Sequence, residues 1–165
     1  MDKRTSIRSR IGGRMEDRYL FKAKRLDNGE WVQGCLITDE TEDSKCFIGY
    51  VIGTDEDGIP HDLDVVQVDP STICKCVGLK DDDETLIFKN DVLSLKDEIN
   101  KCEWKAVVKF GNPNGEYNWG WQLVPITECD ANKDILMWVE TGMGYMYCEV
   151  IGNIFDNPEL LESEE

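Results

Sequence analysis

The sequence predicts a mainly β fold: a small barrel, SH3-like or a related pseudo-barrel, with extra strands and a short C-terminal helix. Three observations carry this. Apolar and polar residues alternate with a period of two in several short runs, most clearly Cys102, Trp104, Ala106, Val108 and Phe110 against Glu103, Lys105 and Lys109. Turn-forming Gly, Asn, Asp and Pro separate the runs. Many short strands joined by turns suit a barrel or a sandwich. The chain has 165 residues, 41% of them hydrophobic, which is about one domain with a real core. The SH3-like topology is an analogy drawn from a strand–turn–strand followed by a long strand and a Gly/Asn turn.

Taken in order, Tyr19, Phe21 and Ala23 alternate with Lys22 and Lys24 as a half-buried strand. Asp27-Asn28-Gly29 is a hairpin signal, because Asn and Gly tolerate the positive φ of tight turns. Residues 31–37 return as a second strand, and an acidic loop at 39–43 leads to a third at 46–52. Asp55-Glu56-Asp57-Gly58 with Pro60 forms a loop, 64–68 a short strand, and 71–77 another that Gly78 ends. Residues 80–84 make a charged turn; Asp91 caps the next turn, and residues 93–100 have room for one helical turn. After the long strand, Gly111-Asn112-Pro113-Asn114-Gly115 reverses the chain, and Trp119, Trp121 and Leu123 alternate back. Residues 135–139 and 145–154 supply the last strands. Asn157-Pro158-Glu159-Leu160-Leu161 opens a short helix, with Asn157 as its cap and Pro158 in its first position.

Charge is unevenly placed. The net charge is −16, from 18 basic and 34 acidic residues. Residues 1–25 carry +6 and residues 26–165 carry −22. A polyanionic body repels phosphates and anionic membranes, which disfavours direct nucleic-acid binding. No apolar run approaches the roughly 18 residues of a membrane helix, and no secretory signal pattern opens the chain. The expectation is a cytoplasmic protein with reduced thiols at Cys35, Cys46, Cys74, Cys76, Cys102, Cys129 and Cys148. Cys74 and Cys76 share one face of a strand, but no second close pair completes a zinc pattern.

Residues 1–14 read as a disordered basic extension. They lack apolar periodicity, and Gly12-Gly13 before Met15 fits a translated ribosome-binding stretch, which makes Met15 the expected start. From Met15 on, 13 basic residues stand against 33 acidic ones, a charge of −20.

The usual catalytic constellations are missing. His61 is the sole histidine and sits beside Pro60 and Asp62 in an expected loop, where a solvated surface role is its simplest reading. No Walker A or G-x-G-x-x-G pattern occurs. Asp55-x-Asp57-Gly58 partly echoes a calcium loop, but Gly53 holds the first ligand position and Asp64 the twelfth. Asp81-Asp82-Asp83-Glu84 reads as a solvated turn, and Trp104, Trp119 and Trp121 as packing residues rather than a base-stacking face. The expectation is therefore no catalytic residue, no cofactor and no metal.

Several segments together resemble the YopX family of small phage and prophage proteins of bacteria. They are Tyr19-Leu20-Phe21-Lys22-Ala23, Gly29-Glu30-Trp31-Val32-Gln33-Gly34, Val77-Gly78-Leu79-Lys80-Asp81, Ile87-Phe88-Lys89-Asn90-Asp91-Val92, and the run from Glu149-Val150-Ile151-Gly152-Asn153 through Pro158-Glu159-Leu160-Leu161. Two departures stand out: Asp82-Asp83-Glu84 where the family usually has Lys-Asn-Gly, and Lys89-Asn90-Asp91 where it usually has Glu-Gly-Asp. Asn90 can adopt the left-handed conformation that a Gly would take. The resemblance implies a β-rich domain over residues 15–161, followed by an acidic tail at 162–165, and it transfers no site.

Together these readings point to a phage or prophage accessory protein acting through contacts with a host or phage protein, with homo-oligomerisation left open. Two alternatives stand beside it: an acidic nucleic-acid mimic that inhibits a basic host protein, and a carboxylate- or metal-dependent enzyme.

Overall fold

The computed structural model describes residues 15–39, 45–115, 119–127, 129–139 and 144–162. The expected extension at 1–14 and most of the acidic tail lie outside these residues. The chain divides into two compact units, Glu16–Cys76 and a second with Val77–Glu165 as its body. The strands form two antiparallel sheets, ordered β4-β3-β2-β1-β5-β6 and β10-β7-β8-β9, so the mainly β class holds.

In Glu16–Cys76 a 3₁₀ turn at Met15–Tyr19 precedes β1 (Phe21–Lys24). Tyr19, expected in that strand, lies in the turn and is exposed. The Asp27-Asn28-Gly29 turn joins β1 to β2 (Trp31–Thr38), with Gly29 at φ 74° and Arg25 N–H bonded to the Glu30 carbonyl at 2.9 Å. β3 (Cys46–Thr54) pairs on one side with β2 and on the other with β4 (Pro60–Val68). β4 is nine residues rather than the expected five, and its opening proline is tolerated because β4 is an edge strand. The expected strand at 71–77 begins later. Asp69 accepts the Ser71 N–H at 2.9 Å and caps a 3₁₀ turn at Pro70–Thr72, after which β5 (Cys74–Lys80) starts. β5 runs through Gly78, which takes φ 83° without ending the strand. The unit's core is small: Ala23, Ile48 and Val68, flanked by Phe21, Val32, Leu36 and Tyr50.

The Val77–Glu165 unit has a larger core. β6 (Leu86–Phe88) neighbours β5, and a tight turn with Asn90 at φ 70° leads to β7 (Asp91–Asp97). The left-handed Asn90 expected from the sequence is thus present. No helical turn begins at 93. Leu93 and Leu95 are fully buried two residues apart, and Leu95 lies opposite Trp104 on β8 (Cys102–Gly111). β9 (Gly120–Pro125) returns beside β8.

The expected strand at 135–139 is instead the helix α1 (Ile135–Val139). Asn132 Oδ1 accepts the Asp134 N–H at 2.8 Å, and Asp134 Oδ1 accepts the Leu136 N–H at 3.0 Å, so the start is capped. Ile135, Trp138 and Val139 then bury one helical face. β10 (Met146–Asn153) completes the sheet beside β7, with a bulge between Val150 and Gly152. The terminal turn at Pro158–Leu161 is 3₁₀, and Asn157 does not cap it with its side chain. Its carboxamide instead reaches back to accept the Asn153 N–H at 3.3 Å.

Among the described residues neither sheet closes into a barrel. In the four-stranded sheet both outer edges are already occupied by other segments. The outer side of β10 is occupied by the acidic turn: Asp82 Oδ2 accepts the Cys148 N–H at 2.8 Å, Asp82 N–H donates to the Cys148 carbonyl at 3.0 Å, and Asp81 Oδ2 accepts the Val150 N–H at 2.9 Å. β9 is met on its outer side by residues 133 and 134, through Leu123 N–H to the Lys133 carbonyl at 2.8 Å and a bridge between Gln122 and Asp134. Side chains and loops satisfy the groups that a closing strand would have paired.

Candidate functional site

Most of the residues singled out by chemistry turn out to serve the backbone. Asp81 is 3% exposed, so Asp81 to Glu84 is not simply a solvated turn. Its Oδ1 accepts the Asp83 and Thr85 N–H groups at 3.0 and 2.8 Å while its Oδ2 reaches Val150. Asp91 is buried and closes the turn before β7 by accepting the Phe88 N–H at 2.8 Å. Asp55 Oδ1 accepts the Asp57 and Ile59 N–H groups at 3.1 and 2.7 Å, which makes the calcium-like segment a hairpin turn with Gly58 at φ 79°. Gly53 lies at the bulge between β3 and β4, and Asp64 accepts the Tyr50 hydroxyl at 2.9 Å. That bond is the main reason the Tyr50 hydroxyl titrates above its ordinary range. Among the described residues no three His, Cys, Asp or Glu side chains converge to hold a metal ion.

His61 lies in β4, not in a loop, and is exposed beside Asp62 with Nε2 3.2 Å from its carboxylate. The tryptophans separate. Trp104 is buried against Trp138, edge-on at 5.5 Å between ring centres. Trp121 and the 77%-exposed Trp119 both pack edge-on against Phe110, at 5.0 and 6.4 Å. The rings contact one another rather than present parallel faces, and neighbouring Lys109 donates to Asn90 Oδ1 at 2.7 Å. Cys74 and Cys76 are buried in β5.

A different feature stands out, and it follows from strand register. Side chains alternate across β2, β3 and β4, so Ile48, Val66 and Val68 turn toward the small core. The opposite set is Ile37, Phe47, Val51, Leu63 and Val65. Ile37 lies across from Phe47, Val65 from Gly49, and Leu63 from Val51. Gly49 leaves a gap in this face, and a methyl there would sit 3.0 Å from Ile37 Cδ1 and 3.8 Å from Val65 Cγ2. Ile37 and Val65 therefore meet over a glycine, and Val51 and Leu63 lie opposite each other on the same face. They stay open to solvent: Ile37 is 44% exposed, Val51 48%, Val65 52% and Leu63 70%. Single exposed hydrophobics need no explanation, but a convergent cluster on an edge of a sheet does. Acids border it, with Asp39 after β2 and Asp55, Glu56 and Asp57 in the β3–β4 turn.

The local sequence pattern starts β4 at 64 and so leaves Leu63 outside a strand, which hides this face. The signal was the alternation of His61, Leu63 and Val65 with Asp62 and Asp64.

The last three motifs that carried the family resemblance meet in space. The Lys80-Asp81 segment hydrogen-bonds the Val150 segment, and the Asn90 carbonyl accepts the Ile154 N–H at 3.1 Å. Residues 20–162 match the family described as YopX protein. The chain belongs to the YopX family. Within this YopX protein those three segments hold the Val77–Glu165 unit together through backbone and carboxylate hydrogen bonds. No curated protein matches the chain. Among the described residues no helix is long and apolar enough to cross a membrane.

Proposed function

We propose that this YopX protein is a phage or prophage accessory protein that acts in the host cytoplasm as a non-enzymatic binding module, docking a partner protein on the β2-β3-β4 face. The observation that supports this most is the convergent apolar cluster of Ile37, Val51, Leu63 and Val65 on an edge of the sheet. Burying such a face releases about 25 cal/mol per Å² of apolar area, and a fully covered Leu or Val contributes roughly 1.5–3 kcal/mol. The acidic border adds steering toward a basic rim on the partner. An acidic nucleic-acid mimic would rely on charge alone, so the apolar centre favours the docking reading over that one.

The test is affinity capture from host-cell lysate with the wild-type chain and with Leu63→Asp, washed at low and high salt. The docking reading predicts a partner retained at high salt and lost with Leu63→Asp. A partner released by salt and indifferent to Leu63→Asp would favour the mimic. Turnover of a small molecule by the pure protein would sink the non-enzymatic reading.

A further inference from the structure

Cys102, the first residue of β8, and Cys129, in the segment between β9 and α1, come from positions 27 residues apart in the chain and bring their Sγ atoms to 3.6 Å. Both thiols line a cavity of about 370 Å³ with Trp138, Met146 and Ala131. A small solute can therefore reach them although both are half-buried. The two sulfurs are differently placed. Cys129 Sγ receives the Ala131 N–H at 3.4 Å. The Lys133 ammonium is fixed beside it, donating to the Cys129 and Ala131 carbonyls at 2.6 Å each. Burial, then the contact with Cys129 and the Asp97 carboxylate, push the Cys102 thiol above its ordinary value.

We propose that Cys102 and Cys129 are a reversible oxidation site, at which a small peroxide converts the thiol pair to a disulfide. The Cys129 thiolate attacks one peroxide oxygen, the O–O bond breaks, and hydroxide leaves, giving a sulfenic acid on Cys129. Cys102 sulfur then attacks Cys129 Sγ, the S–O bond breaks, and the departing hydroxide takes the Cys102 proton as water. Two protein thiols have lost two electrons and the peroxide has gained them. Closing from 3.6 Å to a bond of about 2.05 Å brings the two sulfurs roughly 1.5 Å closer. The bridge ties that segment, which carries the cap of α1, to the start of β8. A pair of this kind is compatible with a reducing compartment, where disulfides form transiently in response to oxidants.

The full chain, freshly reduced, is exposed to stoichiometric hydrogen peroxide, its remaining thiols are alkylated in denaturant, and its peptides are mapped by mass. The expected first product is a cross-link between the Cys102 and Cys129 peptides, formed intramolecularly and reversed by dithiothreitol. Cys129→Ser should abolish that cross-link and leave Cys102 alkylatable. Recovery of both residues alkylated while other cysteines oxidise would overturn the proposal. So would sulfinic or sulfonic acid at Cys129 with no bridge. Either result is read on the wild-type chain, so the test does not depend on the variant folding.

Discussion

The two units of this YopX protein bury their apolar residues unequally. Val77–Glu165 gathers thirteen buried residues into one cluster, from Val77 and Leu79 through Trp104 and Trp138 to Cys148. Glu16–Cys76 has only Ala23, Ile48 and Val68 fully inside its cluster, and it leaves Ile37, Val51, Leu63 and Val65 in water. Carboxylates follow the same division. In the larger core Asp81, Asp91 and Asp97 are buried and accept backbone N–H groups. In the smaller unit Asp55 and Asp69 do similar work at exposed turns. Hydrogen bonds hold Asp69 and Asp97 below the ordinary carboxylate range, from the Ser71 hydroxyl for Asp69 and the Asn100 N–H for Asp97. The difference teaches that one unit buries its apolar residues in a packed core while the other leaves part of its apolar surface in water.

The comparison breaks most visibly at β10. Deleting residues from Glu149 onward removes half of the strand beside β7 and strips Asp81 of its Val150 partner. No soluble folded protein should remain, as judged by circular dichroism and gel filtration. A soluble truncation with native ellipticity would mean that the larger core does not depend on its edge strand.

Asp81→Ala comes next. It leaves the Asp83, Thr85 and Val150 N–H groups without their acceptor in a part-buried setting, which should cost about 1–3 kcal/mol. Urea unfolding measures this, and a loss near zero would show that water replaces the carboxylate. In the smaller unit, a methyl on Gly34 would collide with the Gly49 carbonyl oxygen, which is backbone and cannot swing aside. Gly34→Ala should destabilise by about 1–3 kcal/mol, with the loss reported by amides of β2 and β3 rather than β7 and β8. Asn157→Ala should do least. Its side chain does not cap the terminal turn, and losing the long bond from Asn153 N–H should cost under about 1 kcal/mol in thermal unfolding.

Strand content was legible wherever local pattern and burial agree, as in β8, whose alternation places Trp104, Ala106 and Val108 in the core. Phe110 also lies in β8 with the right parity, but it is past the core and half exposed, so strand position alone does not give burial there. Residues 135–139 read as strand because Ile, Leu, Met, Trp and Val fit either structure. The caps from Asn132 and Asp134 decide for helix. The burial of Asp81 was not legible, because its acceptor role depends on Val150, 69 residues away. For the same reason the thiol contact of Cys102 with Cys129 is invisible in a linear reading. The candidate docking face was half visible: its strands were expected, but its continuity depends on the register that sets Ile37 and Val65 over Gly49.

The unequal packing of the two units is tested most directly by native-state amide hydrogen exchange on the intact chain. Amides of Leu93, Leu95, Ala106 and Val108, in the paired centre of the larger core, should exchange only through global unfolding. Amides of β2 and β3, around the small cluster of Ala23, Ile48 and Val68, should exchange by a separate and easier opening, with a lower dependence on denaturant. A single shared opening free energy for both sets would contradict the account, because the apolar face of the smaller unit would then lie on a structure as firmly held as the larger core.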